Sequence, residues 1–233
     1  MQSSRAKPVS RMTAISAIHR YVDPGETLAE VLFGLIMALT IISGAEIFSA
    51  PSELDARQLA LAVVGCNVAW GVIDAVLFVL GSMFYRSQRA RFFRGLRIAR
   101  SEAEALAAIQ EEFGLEDEPL AVAPEDRVRL YRSILALSVH AAPARVKLRR
   151  RDFVSAILVF VLVSATALPG VIPFLLLGDT YLALRVSNAV LILLLLVVGY
   201  WWAHYTDARP WRAALAILLL GMCMVSVAVT LGG

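Results

Sequence analysis

Two carboxylates stand where a carboxylate is costly. Asp74 interrupts an apolar run with Leu, Val and Phe around it, and Glu30 lies near the start of another. Ionisable groups at membrane depth default to a functional role. Asn67 precedes Asp74 by seven residues, two helical turns, so both fall on one helix face with Gly71 between them. Glu30 lines up at helical spacing with Gly34, Met37, Ile41 and Gly44, which gives one face a carboxylate and a thioether. Oxygen donors mixed with sulfur are compatible with ferrous iron or manganese and are softer than calcium or magnesium prefers. Glu30 and Asp74 are therefore the expected exchangeable ligands for a metal ion or a proton, with Met37 and Asn67 as helpers along a transport pathway. Plainer roles compete. Asp74 could hydrogen-bond Asn188 further along the chain, Glu30 could snorkel or cap, and Met37 could be packing.

A second set of acids lies outside the apolar runs. Glu102, Glu104, Glu111 and Glu112 are followed by Glu116, Asp117 and Glu118. Helical spacing lets Glu104, Glu111 and Glu112 share a face, so they are candidate ligands that gather divalent cations before transport. A solvated face balancing nearby arginines is the alternative. His19, His140 and His204 are scattered and have no metal-ligand spacing. Glu46 and Arg185 are expected to pair near the outer surface. No phosphate-binding loop, nucleotide-binding glycine pattern, HExxH, GxSxG or plausible triad is present, so nothing points to an enzyme, and no resident cofactor is expected.

The elements that position these residues are membrane helices. Of the 233 residues, 59% are hydrophobic and only 18% charged, and the mean hydropathy is +0.71. A soluble domain is about 45–50% apolar and about 25% charged. The chain is thus expected to be an all-α integral membrane protein. Five runs reach the roughly 20 residues that a bilayer requires, at 27–49, 58–82, 153–177, 182–204 and 211–231. The organisation is an N-terminal segment (1–26), spans 1 and 2 (27–82), a charged helical insert (83–152) and spans 3 to 5 (153–233). Cys66 and Cys223 both sit in apolar runs and suggest neither a disulfide nor a zinc site. In span 3, Pro169 and Pro173 stand four apart with Gly170 between them and predict a kink.

Charge sets the expected orientation. With the N-terminus cytoplasmic, twenty of the 22 lysines and arginines fall inside, including Arg5, Lys7, Arg11 and Arg20, and only Arg57 and Arg185 fall outside. Cytoplasmic loops are enriched in these residues, so the insert is expected to be cytoplasmic and the C-terminus outside. The net charge of +3 then reflects topology, and no nucleic-acid partner is expected. No cleaved signal peptide is visible, and a bacterial inner membrane is the expected site. After span 2, Phe92, Phe93, Leu96 and Ile98 stand among Arg89, Arg91, Arg94 and Arg97. Such a basic amphipathic stretch is expected to lie against anionic headgroups. One or two helices extend from span 2 over 84–113. Pro119 and Pro124 break the chain, and Glu125 and Asp126 open another helix to about His140, with Val128, Tyr131, Leu135 and Val139 at helical spacing.

Five spans, a charged insert between spans 2 and 3, and the stretch LPGVIPFLLL resemble the vacuolar iron transporter family. The C-terminal half is similar in its Gly199–Tyr200 turn and in Gly221 and Gly232 of the last span, and YRSQRARF resembles the helix leading into the family's insert. The resemblance implies a homodimer that moves ferrous iron or manganese out of the cytosol in exchange for protons. It also implies a first-span aspartate followed by glycine; placing Gly34 on that glycine puts Phe33 at the aspartate, with Glu30 one turn earlier. Of the family's second-span pattern, Ser82 and Met83 are present and no glutamate follows, while Asp74 is an acid this chain has instead. The competing expectation is a non-transporting scaffold or accessory protein whose arginine-rich insert holds lipid or a partner.

Overall fold

The computed structural model describes residues 23–49, 55–114, 123–140 and 145–231. Arg5, Lys7, Arg11, His19, Arg20, Glu116, Asp117, Glu118, Pro119 and Gly232 lie outside the described residues, as does the side chain of Val139. Every described element is helical: α1 (Pro24–Phe48), α2 (Ala56–Ile98), α3 (Glu102–Phe113), α4 (Pro124–His140), α5 (Arg150–Ala165), α6 (Ala167–Leu176), α7 (Thr180–Trp202) with a 3-10 turn at Ala203–Tyr205, and α8 (Pro210–Thr230). Five helical stretches are long and apolar enough to cross a membrane: α1, α2, α5 with α6, α7 with its 3-10 turn, and α8. The chain is an integral membrane protein.

Local chemistry explains where these helices begin. Asp23 caps α1 by accepting from Gly25 N at 2.8 Å, with Pro24 in the first turn where a missing N–H costs nothing. Asp179 caps α7, accepting from Tyr181 N at 2.8 Å and Leu182 N at 3.1 Å. Span 3 is two helices because of Pro169. Its ring presses on the carbonyl four residues back, at Ala165, and α5 ends there. Thr166 N then closes a tighter turn onto Val163 O at 3.2 Å before α6 begins. Pro173 is accommodated within α6.

Contacts divide the chain into two compact units, 1–79 with 150–233 and 80–149. In the first, α1, the start of α2, α6, α7 and α8 share a core containing Leu35, Leu39, Ile42, Val63, Phe174, Leu184, Leu191, Leu195 and Val225. Small residues let the helices approach, as membrane packing requires. A Cβ on Gly199 would lie 2.7 Å from Ala214 Cα, so glycine is what lets α7 and α8 touch. Ser187 donates to Gly170 O at 2.6 Å, which ties α7 to the proline-containing helix.

The second unit contains the end of α2 with α3 and α4. Leu96, Ala105, Ile109 and Tyr131 form its core, with Phe92, Phe93 and Leu135 packed around them. The apolar face of the arginine-rich stretch is thus occupied by the unit's own helices. Ile98 stays exposed, as do Arg89, Arg91, Arg94 and Arg97. Ser101 caps α3, and Glu104 reaches back past it to the preceding N–H, an arrangement close to a capping box. Glu104 N donates to Ser101 Oγ at 3.1 Å, and Arg100 N donates to Glu104 Oε2 at 2.8 Å. The helix ends at Gly114 in a left-handed conformation, φ 47°, which glycine adopts without strain.

Candidate functional site

Antiparallel α1 and α2 meet at three successive levels. The Glu30 and Asp74 carboxyls come within hydrogen-bonding reach of each other. Next along the seam, the Phe33 and Trp70 rings meet edge to face with centroids 5.4 Å apart. Beyond them, Asn67 Nδ2 donates to Gly34 O at 3.1 Å. Sequence alone places Glu30 and Asp74 in the same half of their helices; the register of α1 against α2 makes them a pair. Asn188 is not the partner of Asp74. It donates to Glu46 Oε2 at 2.9 Å, and Glu46 also pairs with Arg185 at 3.1 Å, which joins α1 to α7 far from Asp74 along the spans.

Two adjacent carboxylates in a medium of low dielectric repel strongly when both are ionised. A proton shared between them, or a cation bound by both, removes that repulsion. The pair is half-buried, so an ion can reach it. Among the described residues no group of three or more histidine, cysteine or acidic side chains is placed to hold a metal. Two carboxylates with other oxygen donors make an exchangeable site rather than a permanent one.

Asn67 is fully buried where three spans cross. Besides Gly34 O, its amide nitrogen lies 3.0 Å from Thr166 Oγ1 and 3.5 Å from Val163 O. Thr166 in turn donates to Val163 O at 2.6 Å. A polar side chain of span 2 thus reaches the break in span 3, and a broken helix is tolerated in a bilayer where it is packed against protein. A Cβ on Gly34 would run into the Thr166 hydroxyl, so glycine there is a steric requirement. Met37, half-buried, lies one turn beyond Gly34 on α1.

Sequence reasoning passed over Ser164, Thr166 and Asp152. The first two flank the break, and Pro169, which frees a carbonyl four residues upstream, marks that place. Asp152 is buried at the start of α5 although it follows three arginines in sequence. Among the described residues the acids of the insert are not gathered. Glu104 serves the α3 cap, whereas Glu111 and Glu112 are exposed. Glu112 lines a hollow of about 310 Å³ with Tyr85, Arg86, Gln88 and Arg89. His140 turns its ring to Ala136 O at 2.8 Å, and His204 sits beside Tyr200 and Trp201.

No curated protein matches the chain in sequence. A family model, that of the VIT family, matches residues 82–233, which takes in the insert and spans 3 to 5. Glu30, Asn67 and Asp74 precede the matched stretch. The match covers well over half of the sequence, and the chain belongs to the VIT family of membrane metal-ion transporters.

Proposed function

We infer that the protein exports a divalent metal ion, ferrous iron or manganese, from the cytosol in exchange for protons, with the Glu30–Asp74 pair as the exchange site. The meeting of these two carboxyls between spans 1 and 2 carries the reading. One cation or one proton relieves the same repulsion, so the pair can trade one for the other, which is the elementary step of antiport. Oxygen ligands suit ferrous iron and manganese. Met37, on α1 beyond the aromatic contact, offers a thioether to the softer of these ions.

The distribution of basic residues supports a cytoplasmic N-terminus and insert, with the C-terminus outside. Glu30 and Asp74 then lie toward the cytoplasmic half, where an exported ion enters. The exposed Arg89, Arg91, Arg94 and Arg97 suit contact with anionic headgroups. A homodimer in a bacterial inner membrane completes the proposal.

Flux of Fe²⁺ and Mn²⁺ into proteoliposomes, with and without a pH gradient, tests it. Metal flux that acidifies the opposite compartment, and that Asp74→Ala abolishes in folded protein, is the expected result. No flux from folded, correctly oriented protein would return the chain to the scaffold reading.

A further inference from the structure

The second unit carries a hollow whose lining bears both signs of charge. Tyr85, Arg86, Gln88 and Arg89 of α2 and Glu112 of α3 line a space of about 310 Å³. α3 runs back along α2. Leu96 shares a core with Ala105 and Ile109, and the Phe92 and Phe113 rings meet edge to face with centroids 6.1 Å apart. The end of α3 thus returns to the part of α2 that leaves the apolar run.

α2 is one helix from that run to Ile98, and the run ends near residue 82. At 1.5 Å per residue, Tyr85 to Arg89 stand about 5 to 10 Å further on. The polar layer on each side of the hydrocarbon is about 5–7 Å thick, and an arginine side chain is long enough to reach back into it. Arg86 Nε donates to Ser82 O at 3.1 Å, which turns that guanidinium toward the membrane end of the helix. Tyr85, exposed, is of the type that anchors at this depth. The hollow lies at the level of the headgroups.

Opposite charges lining one hollow would ordinarily close on each other. Among the described residues, no ion pair joins Glu112 to Arg86 or Arg89. A cationic wall on α2 and an anionic wall on α3 stay apart. An ion of one sign satisfies one wall and is repelled by the other. A ligand that carries a phosphodiester and an ammonium a few bonds apart satisfies both through charge-assisted hydrogen bonds. Its phosphate suits the two guanidiniums, and a primary ammonium brings three N–H donors to the carboxylate. A choline headgroup has no such donor, and a glycerol headgroup has no positive charge.

We propose that the hollow lined by Arg86, Arg89 and Glu112 is a binding site for a phospholipid with a primary-ammonium headgroup, phosphatidylethanolamine, its phosphate on the arginines and its ammonium on Glu112. The bound lipid holds the end of α3 against α2 where α2 leaves the membrane. The site narrows the reading of Arg89 as a headgroup contact, and it needs neither metal transport nor the Glu30–Asp74 pair.

Native mass spectrometry of the full chain tests it, in micelles with equimolar phosphatidylethanolamine, phosphatidylcholine and phosphatidylglycerol of identical acyl chains. Phosphatidylethanolamine should be retained about tenfold over either competitor. Glu112→Gln should abolish that preference, as loss of a charged hydrogen-bond partner does, without weakening the binding of phosphatidylglycerol. Arg89→Gln should weaken the binding of both lipids. Glu111→Gln makes the same charge change one residue away, outside the hollow, and should alter nothing. All three positions are exposed, so each variant is expected to fold. Equal retention of the three lipids overturns the site; if Arg89→Gln still weakens phosphatidylglycerol, the plain headgroup contact stands without it. Loss of the preference in Glu111→Gln as well as in Glu112→Gln also overturns it, because diffuse charge would then select the lipid. Displacement of the lipid by equimolar glycerophosphoethanolamine, which lacks acyl chains, would make the occupant a soluble molecule and overturn the membrane site.

Discussion

The two sides of α1 are built on different principles. Toward α7 and α8 it presents Leu35, Leu39 and Ile42, nearly or fully buried among Leu184, Leu191 and Leu195. Toward the half of α2 that carries Trp70 and Asp74 it presents Glu30, Phe33 and Gly34, which meet Asp74, Trp70 and Asn67, while nearer its start α2 adds Leu59, Ala60 and Val63 to the apolar core. The most apolar 18-residue stretch of α1 is 44% buried, whereas that of α2 is 17% buried. Helices in a bilayer gain nothing by hiding apolar surface from one another, because lipid is equally apolar. The bundle side is therefore held by interdigitation over its whole length. Apart from the apolar contact of Leu59, Ala60 and Val63, the α2 side is held at a few points, one of them a carboxyl pair at which one proton or cation can change the balance. A transport path belongs on the second side.

The largest expected effect breaks function while sparing the fold. Asp74→Asn keeps the shape of the side chain and removes its ability to bind a cation or release a proton. Mn²⁺ flux in proteoliposomes should fall by about two orders of magnitude, the upper range for losing an ion-site group, with the thermal unfolding midpoint in detergent unchanged. A variant that transports normally would show that the pair is structural. On the bundle side the reverse is expected. Gly199→Val sets a branched side chain against Ala214 Cα, and overpacking of that kind costs about 3 kcal/mol. The unfolding midpoint should drop sharply, and any loss of flux should track the loss of folded protein.

Asn67→Leu falls between these extremes and sharpens the contrast. It strips the amide that joins Gly34 O and Thr166 Oγ1, leaving acceptors at the span 3 break without a donor. A cost of about 2 kcal/mol follows from unsatisfied buried groups, read as a lowered unfolding midpoint. Unlike Gly199→Val, it should lower flux per folded molecule as well, since the amide fixes the register of α1 against α2 that pairs Glu30 with Asp74. A loss of stability with normal flux per folded molecule would make Asn67 a latch alone.

Hydropathy makes the spans legible because each must present apolar side chains all round, a signal written continuously along the sequence. The five runs and the described helices agree to within a few residues, save that α2 continues past the membrane length to Ile98. Pro169 makes the break in span 3 legible, since its clash acts on a residue at fixed spacing. Pairing between helices is not written that way. That Glu30 meets Asp74 depends on a rotation and a register of α1 against α2, fixed where Phe33 meets Trp70 and Gly34 meets Asn67, and that Asn188 meets Glu46 depends on the register of α7 against α1. The arginine-rich stretch shows the same limit. Its amphipathic pattern identifies an apolar face, but a headgroup layer and a neighbouring helix satisfy Phe92 and Phe93 equally well.

The smallest expected effect concerns Glu104 and asks whether the insert works like the α2 side of α1. A glutamate that gathers metal needs its charge; one that caps a helix needs only an acceptor oxygen. Glu104→Gln retains that oxygen for Arg100 N, and glutamine serves in a capping box as glutamate does. Glu104→Ala loses it and should cost about 1 kcal/mol of helix stability. If capping is its whole role, Glu104→Gln leaves both Mn²⁺ flux at low metal concentration and the stability of α3 unchanged, while Glu104→Ala lowers only the latter. Should Glu104→Gln raise the Mn²⁺ concentration needed for half-maximal flux, charge in the insert matters and the acids there do collect metal. Glu111 and Glu112 would then have to approach Glu104 in the metal-bound protein, in a conformation other than the one described. The exposed positions of Glu111 and Glu112 leave them free to be drawn to a cation, whereas Glu104 would have to give up its cap to join them.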